Sequence, residues 1–197
     1  RVGVTRHQKL CQAWSVWGAR QDGKGKVTIG DAPVIDLLVK RAEELNIRLV
    51  GDLTFGYAKS DTKRGGQNMA LIAAEQDTAA RQAKLETAAE GIRLVPYGTG
   101  PLPPYGSEAF ERTLHDYAFG IVSRYRGRIK VWCGDNEVDL HAGGASPAVA
   151  TVYARASRIL YTAMKEADPE AEFITASLVR RSAFTDEGDW GAYALSI

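Results

Sequence analysis

The chain contains 197 residues with a net charge of +1, and 45% of its residues are hydrophobic and 25% charged. These values are typical of a globular protein with one sizeable core or two small ones. They exclude the basic surplus of a nucleic-acid-binding protein, and no apolar run approaches the roughly 20 residues that span a bilayer. We therefore expect neither nucleic acid nor a membrane as a partner.

The chain begins with Arg1 rather than Met, so we expect the natural N-terminus and its targeting information to be missing. The compartment stays open, with a secreted or periplasmic location slightly favoured. Cys11 and Cys133 form no C-x-x-C pair, and no His/Cys cluster has zinc spacing. Both lie in or beside apparent strand segments, so we predict that they are small buried core residues. A disulfide between them would require their strands to be adjacent, which the sequence does not show. No metal or organic cofactor is expected.

The first third of the chain alternates strand and helix patterns. "VGVTRHQ" from Val2 predicts a strand. "DAPVIDLLVKRAEEL" predicts a helix with Asp31 as its N-cap and Pro33 in the first turn. Residues at helical spacing along it are Val34, Leu37, Leu38, Arg41 and Leu45. "NIRLVGDL" then predicts a buried parallel strand.

The second half repeats this alternation. "SEAFERTLHDYAFGIVSRYRGR" predicts an amphipathic helix capped by Ser107 and ended by Gly127. "RIKVWC" predicts the next strand. "SPAVATVYARASRILYTAMKEADPEA" predicts a helix with Ser146 as cap and Pro147 at the first helical position, and "EFITASL" predicts the strand after it. The predicted fold class is α/β with parallel strands.

The carboxyl ends of parallel strands meet at one edge, where α/β proteins build their sites. In chain order, these ends are predicted to carry His7-Gln8, Asp52-Leu53-Thr54, Asn136-Glu137 and Ser177. A long segment between Thr54 and Tyr105 interrupts the rhythm. Its Ala-rich middle predicts a helix, and "GIRLVPY" is either a fifth strand or part of an insertion. A long insertion at this edge usually shapes a substrate cleft.

"RIKVWCGDNEVDL" leads an apolar strand into the acidic residues Asp135, Glu137 and Asp139. The sheet should fix the backbone of Glu137, Asn136 can donate hydrogen bonds to a ligand, and Trp132 offers a flat apolar face. This combination suits sugar chemistry, because a pair of carboxyl groups cleaves glycosidic bonds. Two alternatives stay open: a solvated acidic turn, and a hard-cation site formed by the three carboxylates.

Other candidate residues are less specific. Arg6 and His7 are predicted at the rim, where they would bind a substrate hydroxyl or hold Glu137. Tyr57 and Trp14 could each stack on a sugar or pack in the core. His141 is predicted on a surface loop, and His115 on a helix surface or between helices. No phosphate loop, nucleophilic Ser elbow or dinucleotide fingerprint is present.

"YRGRIKVWCGDNEVD" resembles the fourth-strand signature of clan A glycoside hydrolases, especially the family 39-like β-xylosidases. "VGVTRHQKLCQAWSVW" resembles the second strand of that family, "VKRAEELNIRLVGDLTFGY" the third and "ADPEAEFITASL" the fifth. The resemblance implies a (β/α) TIM-type barrel of which this chain holds strands two to five of eight. Residues 1–197 would then be a single partial barrel domain with an insertion at about 58–104.

The resemblance also implies an activity, the retaining hydrolysis of a glycosidic bond in an oligo- or polysaccharide. Glu137 would be the general acid/base and Asn136 would contact the sugar hydroxyl next to the reacting carbon. The nucleophile would come from the seventh strand, outside this chain. The sequence departs from the family at Asp135, which usually is Trp, and at Val138, which usually is Pro. These departures keep open a non-catalytic carbohydrate-binding domain derived from a barrel.

Overall fold

The computed structural model describes residues 7–10, 13–60, 75–137 and 147–177. The strands in these ranges are β1 (His7–Leu10), β2 (Ala19–Gln21), β3 (Val27–Ile29), β4 (Arg48–Asp52), β5 (Tyr57–Ser60), β6 (Ile92–Val95), β7 (Val131–Asn136) and β8 (Glu172–Ser177). The helices are α1 (Pro33–Glu44), α2 (Thr78–Ala89), α3 (Glu108–Arg124) and α4 (Pro147–Ala167). None of the helices in these ranges has the length and apolar character needed to cross a bilayer.

The main sheet contains four strands in the order β1-β4-β7-β8, and every neighbouring pair is parallel. Spatial order therefore equals chain order. Because parallel crossovers are right-handed, steps in one direction place α1, α3 and α4 on the same face. This confirms a mixed α/β fold with parallel strands. Within the described ranges the sheet is open, since no strand pairs with the outer edge of β1 or of β8.

Two antiparallel strand pairs lie outside the main sheet. The sequence analysis did not predict the β2–β3 hairpin, whose turn is closed by Asp22 through bonds from the amides of Lys24 (2.7 Å) and Lys26 (3.1 Å). The run "GIRLVPY" supplies β6, which pairs with β5 and not with the four-stranded sheet. Between them lies α2, which Asp77 caps by accepting from the amide of Ala80.

Helix α1 corrects two predictions. Its N-cap is Ala32, which makes no side-chain capping bond, so the assignment of Asp31 was wrong, whereas Pro33 does occupy the first turn. The buried stripe of this helix is Ile35, Val39 and Ala42. The apolar residues of the predicted face are exposed instead, namely Val34, Leu37, Leu38 and Leu45. Both stripes have helical spacing, so periodicity alone does not show which one faces the sheet.

Helices α3 and α4 follow their predicted patterns. Ser107 caps α3 by accepting from the amide of Phe110 at 3.1 Å, and Gly127 adopts a positive φ just beyond its end. Pro147 opens α4, whereas Ser146 lies outside the described residues. Buried residues on the predicted faces are Phe110, Leu114, Tyr117, Ile121 and Val122 on α3, and Val149, Val152, Tyr153, Ala156, Leu160 and Ala163 on α4.

A glycine makes room for the largest side chain of the sheet. Trp132 on β7 pairs in register with Gly51 on β4 and is fully buried. A Cβ atom on Gly51 would lie 2.3 Å from the Trp132 ring. Trp17 packs against the other side, with ring centroids 5.7 Å apart. The indole is thus fixed in place, and with it the strand that carries Asn136.

We predict that Gly51→Ala lowers the free energy of unfolding by about 1–3 kcal/mol, because the added methyl group overpacks a rigid buried ring. Urea denaturation measures this change. Gly30→Ala is the matched control, since its added Cβ would approach no closer than 3.7 Å to a neighbouring atom. Equal stabilities of the two variants would contradict the packing described here.

Candidate functional site

The carboxyl ends of β4 and β7 bring two carboxyl groups together. Register pairs Asp52 with Cys133, so their side chains share one face of the sheet. Asp135 follows two residues after Cys133, on the same strand. All three side chains are buried, as predicted for Cys133, while Cys11 lies outside the described residues.

Asp135 joins two separate segments through hydrogen bonds to its carboxylate. The amides of Phe55 and Gly56 both donate to Oδ2 at 3.0 Å. The amide of Asn136 donates to Oδ1 at 2.7 Å. One side chain therefore ties the end of β7 to the turn between β4 and β5.

The surroundings of Asp135 act on its pKa in opposite directions. Burial has the largest effect and raises it, and the nearby charge of Asp52 raises it further. The three backbone N–H donors lower it, since they favour the ionised carboxylate. The net result is a pKa of about 7. The group therefore changes its charge near neutral pH.

The turn that Asp135 binds is also held from two other sides. The indole of Trp14, a buried core residue stacked on Tyr117, donates to the carbonyl of Thr54 at 2.6 Å. The hydroxyl of Tyr153 on α4 donates to the carbonyl of Gly56 at 3.0 Å. Gly56 has φ +91°, and a Cβ there would lie only 2.1 Å from a backbone oxygen of β6. This turn, residues 54–56, is fixed by the core.

Asn136 and Glu137 lie at the outer end of β7. Asn136 is the last residue of the strand and pairs with Ser177 at the end of β8, as the predicted strand ends require. Glu137 follows at once, and both side chains are half-buried, within reach of a ligand. Asp135 and Glu137 have φ values of 77° and 50°. Such left-handed conformations are uncommon outside glycine and concentrate at functional sites.

Two tyrosines form a ring pair, and one of them, Tyr97, interacts with the charge of Asp135. Tyr57 begins β5 opposite Val95, and Tyr97 follows two residues later, with ring centroids 5.8 Å apart. Tyr57 is half-buried and Tyr97 is 41% exposed. Burial, the charge of Asp135 and the neighbouring Tyr57 raise the pKa of Tyr97. Sequence reasoning named Tyr57 and missed Tyr97, because the pairing of β5 with β6 that brings the two rings together is not visible in the sequence.

Other predicted site residues do not join this group. Trp132 is fully buried and donates its indole N–H to the carbonyl of Ile129 at 3.1 Å, so it presents no surface to a ligand. His7 is the first residue of β1 and pairs with Arg48, the first residue of β4. The prediction that His7 ends its strand was wrong, because the strand continues to Leu10 and puts the His7 backbone at the amino edge.

Several residues named in the sequence analysis lie outside the described residues, namely Arg6, Asp139 and His141. In the part of the chain that the structure describes, no cluster of three His, Cys, Asp or Glu side chains could hold a metal ion. The three-carboxylate site of Asp135, Glu137 and Asp139 stays untested, since Asp139 is outside those ranges.

A cleft of about 680 Å³ lies between α3 and α4. Two of its arginines form ion pairs within it: Arg155 is bound to Glu111, and Arg112 to Glu108 at 3.0 Å. His115, predicted as surface or interhelical, bridges the helices through Glu166 at 2.8 Å. These pairs explain the cleft as a helix interface, and we place the candidate site at the strand ends.

Neither a scan against protein-family models nor a search of curated proteins gives a match for this sequence. A search of solved structures finds a crystal structure of the xylanase XynB from Paenibacillus barcinonensis, complexed with a conduramine derivative. The TM-score is 0.37 and the sequence identity 17%, over 71% of this chain. The chain spans about a third of the xylanase, 34% of its length. Similarity at that level does not establish a shared fold, and the proposal below depends on this chain's own residues.

We predict that Tyr153→Phe lowers the free energy of unfolding by about 1–3 kcal/mol, because it leaves the buried carbonyl of Gly56 without its donor. Thermal or urea unfolding measures the loss. Tyr161→Phe on the same helix is the control, since Tyr161 is 47% exposed. A loss no larger than that of the control would show that the hydroxyl does not hold the turn.

Proposed function

We propose that this chain is part of a (β/α) TIM-type barrel of the clan A glycoside hydrolase type, with Glu137 as the general acid/base. The observation that carries the proposal is the position of the Asn136-Glu137 pair. The pair lies at the end of β7, the strand predicted to bear it, with Asn136 as the last strand residue and both side chains half-buried. Asp135 anchors this strand end, and Tyr97 interacts with the charge of Asp135.

The sheet supports the barrel part of the proposal. Its strands step in one direction without the reversal that defines a doubly wound sheet. Continued steps of this kind close into a barrel of eight strands. Apolar side chains are exposed on α1, which precedes the second strand of the sheet, and at Ile174 on the last strand. Further barrel elements at the two edges would cover such surfaces.

The chemistry follows from the side chains at the strand ends. Glu137 would protonate the leaving glycosidic oxygen and then, as a base, activate water. The amide of Asn136 would bind a sugar hydroxyl, and the rings of Tyr57 and Tyr97 would pack on a sugar face. The nucleophile would be a carboxylate outside this chain, about 5 Å from Glu137 in a retaining enzyme. The substrate class is an oligo- or polysaccharide.

In a form of the protein that also supplies the nucleophile, we predict that Glu137→Gln lowers the hydrolysis of aryl glycosides about 10²–10⁴-fold, because the amide can neither donate the proton nor accept it from water. Release of the aryl group, followed by absorbance, measures the rate. Glu90→Gln, at an exposed position next to α2, serves as the matched control. Wild-type hydrolysis that survives at full rate in Glu137→Gln would rule out the assignment.

A non-catalytic carbohydrate-binding domain is the second candidate, and the exposed tyrosine pair favours it. In that case, wild type and Glu137→Gln would bind oligosaccharides with similar affinity, and neither would hydrolyse them. Tyr97→Ala should then weaken binding, because aromatic packing would supply much of the affinity. Titration calorimetry with a panel of oligosaccharides separates the two candidates.

A further inference from the structure

We propose that Asp135 is a positioning residue that holds the Asn136-Glu137 turn against the Phe55-Gly56 turn only while its side chain is ionised. The site would then be assembled by the loss of one proton from a residue that does no chemistry itself. The inference rests on the proposed function of Glu137 and adds a means of regulating it. We call the three bonds from Phe55, Gly56 and Asn136 to this carboxylate the Asp135 latch.

The latch holds a backbone that would not keep this shape unaided. Asp135 and Glu137 both have positive φ, which costs a non-glycine residue conformational energy. The bonds to Oδ1 and Oδ2 stabilise that shape, since they tie Asp135 to the amide of Asn136 and to a turn anchored by Trp14 and Tyr153. The orientation of Glu137 therefore depends on a contact made 80 residues earlier in the chain.

Protonation disrupts this arrangement. A carboxylate accepts at both oxygens, but a carboxylic acid carries a hydrogen on one of them. Protonation also removes the negative charge of Asp135, so its three charge-assisted bonds become bonds to a neutral group, which are about half as strong. The latch is then weakened, and the segment that carries Glu137 loses support.

The groups around Asp135 set the pH at which its side chain is protonated and the latch opens. Among the described residues that interact with its charge are Asp52 on β4, Tyr97 after β6, Tyr117 on α3 and Tyr153 on α4. Burial and the charge of Asp52 raise the pKa of Asp135 to about 7, against the effect of the backbone donors. The latch should therefore open as the pH falls below neutral and close as it rises. Asp52 tunes that transition.

Amide NMR tests the latch directly, without reference to activity. In the 197-residue chain, the Phe55 and Gly56 amide signals should move upfield together as the pH falls, with one midpoint near neutral. Asp135→Asn should abolish this shift. Asp52→Asn should move the midpoint down by about one pH unit, because a like charge has been removed. The Glu90→Gln control should leave it in place.

Two results would overturn the latch: amide signals that stay constant between pH 5 and pH 9, or a midpoint that Asp52→Asn does not change. Neither result depends on whether the Asp135→Asn variant folds. This pH range extends about two units to either side of the expected midpoint, so a titration of the Asp135 carboxyl group would fall within it.

Kinetics separates the latch from the proposed function. If the chain hydrolyses aryl glycosides, kcat should fall on the acidic side with the midpoint of the amide signals, and Asp52→Asn should move both midpoints together. A kcat profile that stays fixed while the amide midpoint moves would overturn the positioning role. If the Phe55 and Gly56 amide signals titrate together but the protein neither hydrolyses nor binds sugars at any pH, the latch is supported and the function assigned to Glu137 is rejected.

Discussion

The carboxylate of Asp135 is the contact on which the strand-end region depends. It accepts hydrogen bonds from the backbone amides of Phe55 and Gly56, which follow β4, and from the amide of its own neighbour Asn136. A buried charge without such donors would cost several kcal/mol, whereas a hydrogen bond to a charged group returns about 1.5–3 kcal/mol. Asp135 therefore tolerates burial because its oxygens face backbone amides, and those amides are in place because the turn is fixed by the core.

That core reaches the strand ends through close contacts between aromatic rings and glycines. Gly51 gives the Trp132 ring its space, and a Cβ on Gly134 would lie 2.6 Å from the Phe173 ring. Each glycine lets a ring on a neighbouring strand lie against the sheet backbone. Since interiors are close-packed and transmit strain, small shifts in these layers would move the residues that follow them in β7. Two sets of contacts thus fix the position of Glu137: the packing of the sheet that precedes it in β7, and the hydrogen bonds of the Asp135 latch.

Sequence patterns predicted the parts of this molecule that are locally determined. The faces of α3 and α4 followed from strong periodicity with a cap or a first-turn proline, and the strands β4 and β8 from short apolar runs. The face of α1 was mistaken because apolar residues such as Leu37 and Ile35 lie on two competing stripes. The link from Asp135 to Phe55 could not be predicted, since it joins residues 80 positions apart whose pairing depends on the sheet. Tyr97 was missed for the same reason.

Aspartate at position 135 is one of the points where the sequence departs from the family it resembles. A tryptophan at this position would offer a ring to the substrate, but it could not accept hydrogen bonds from the amides of Phe55 and Gly56. With aspartate, the strand end gains a charge-dependent bond to the turn after β4 and loses an aromatic surface. Tyr57 and Tyr97 come from the segment that begins at this turn; their ring centroids lie 5.8 Å apart, and Tyr97 interacts with the charge of Asp135. Under the proposed function, the segment that Asp135 binds would therefore supply the aromatic surface that Asp135 itself does not provide.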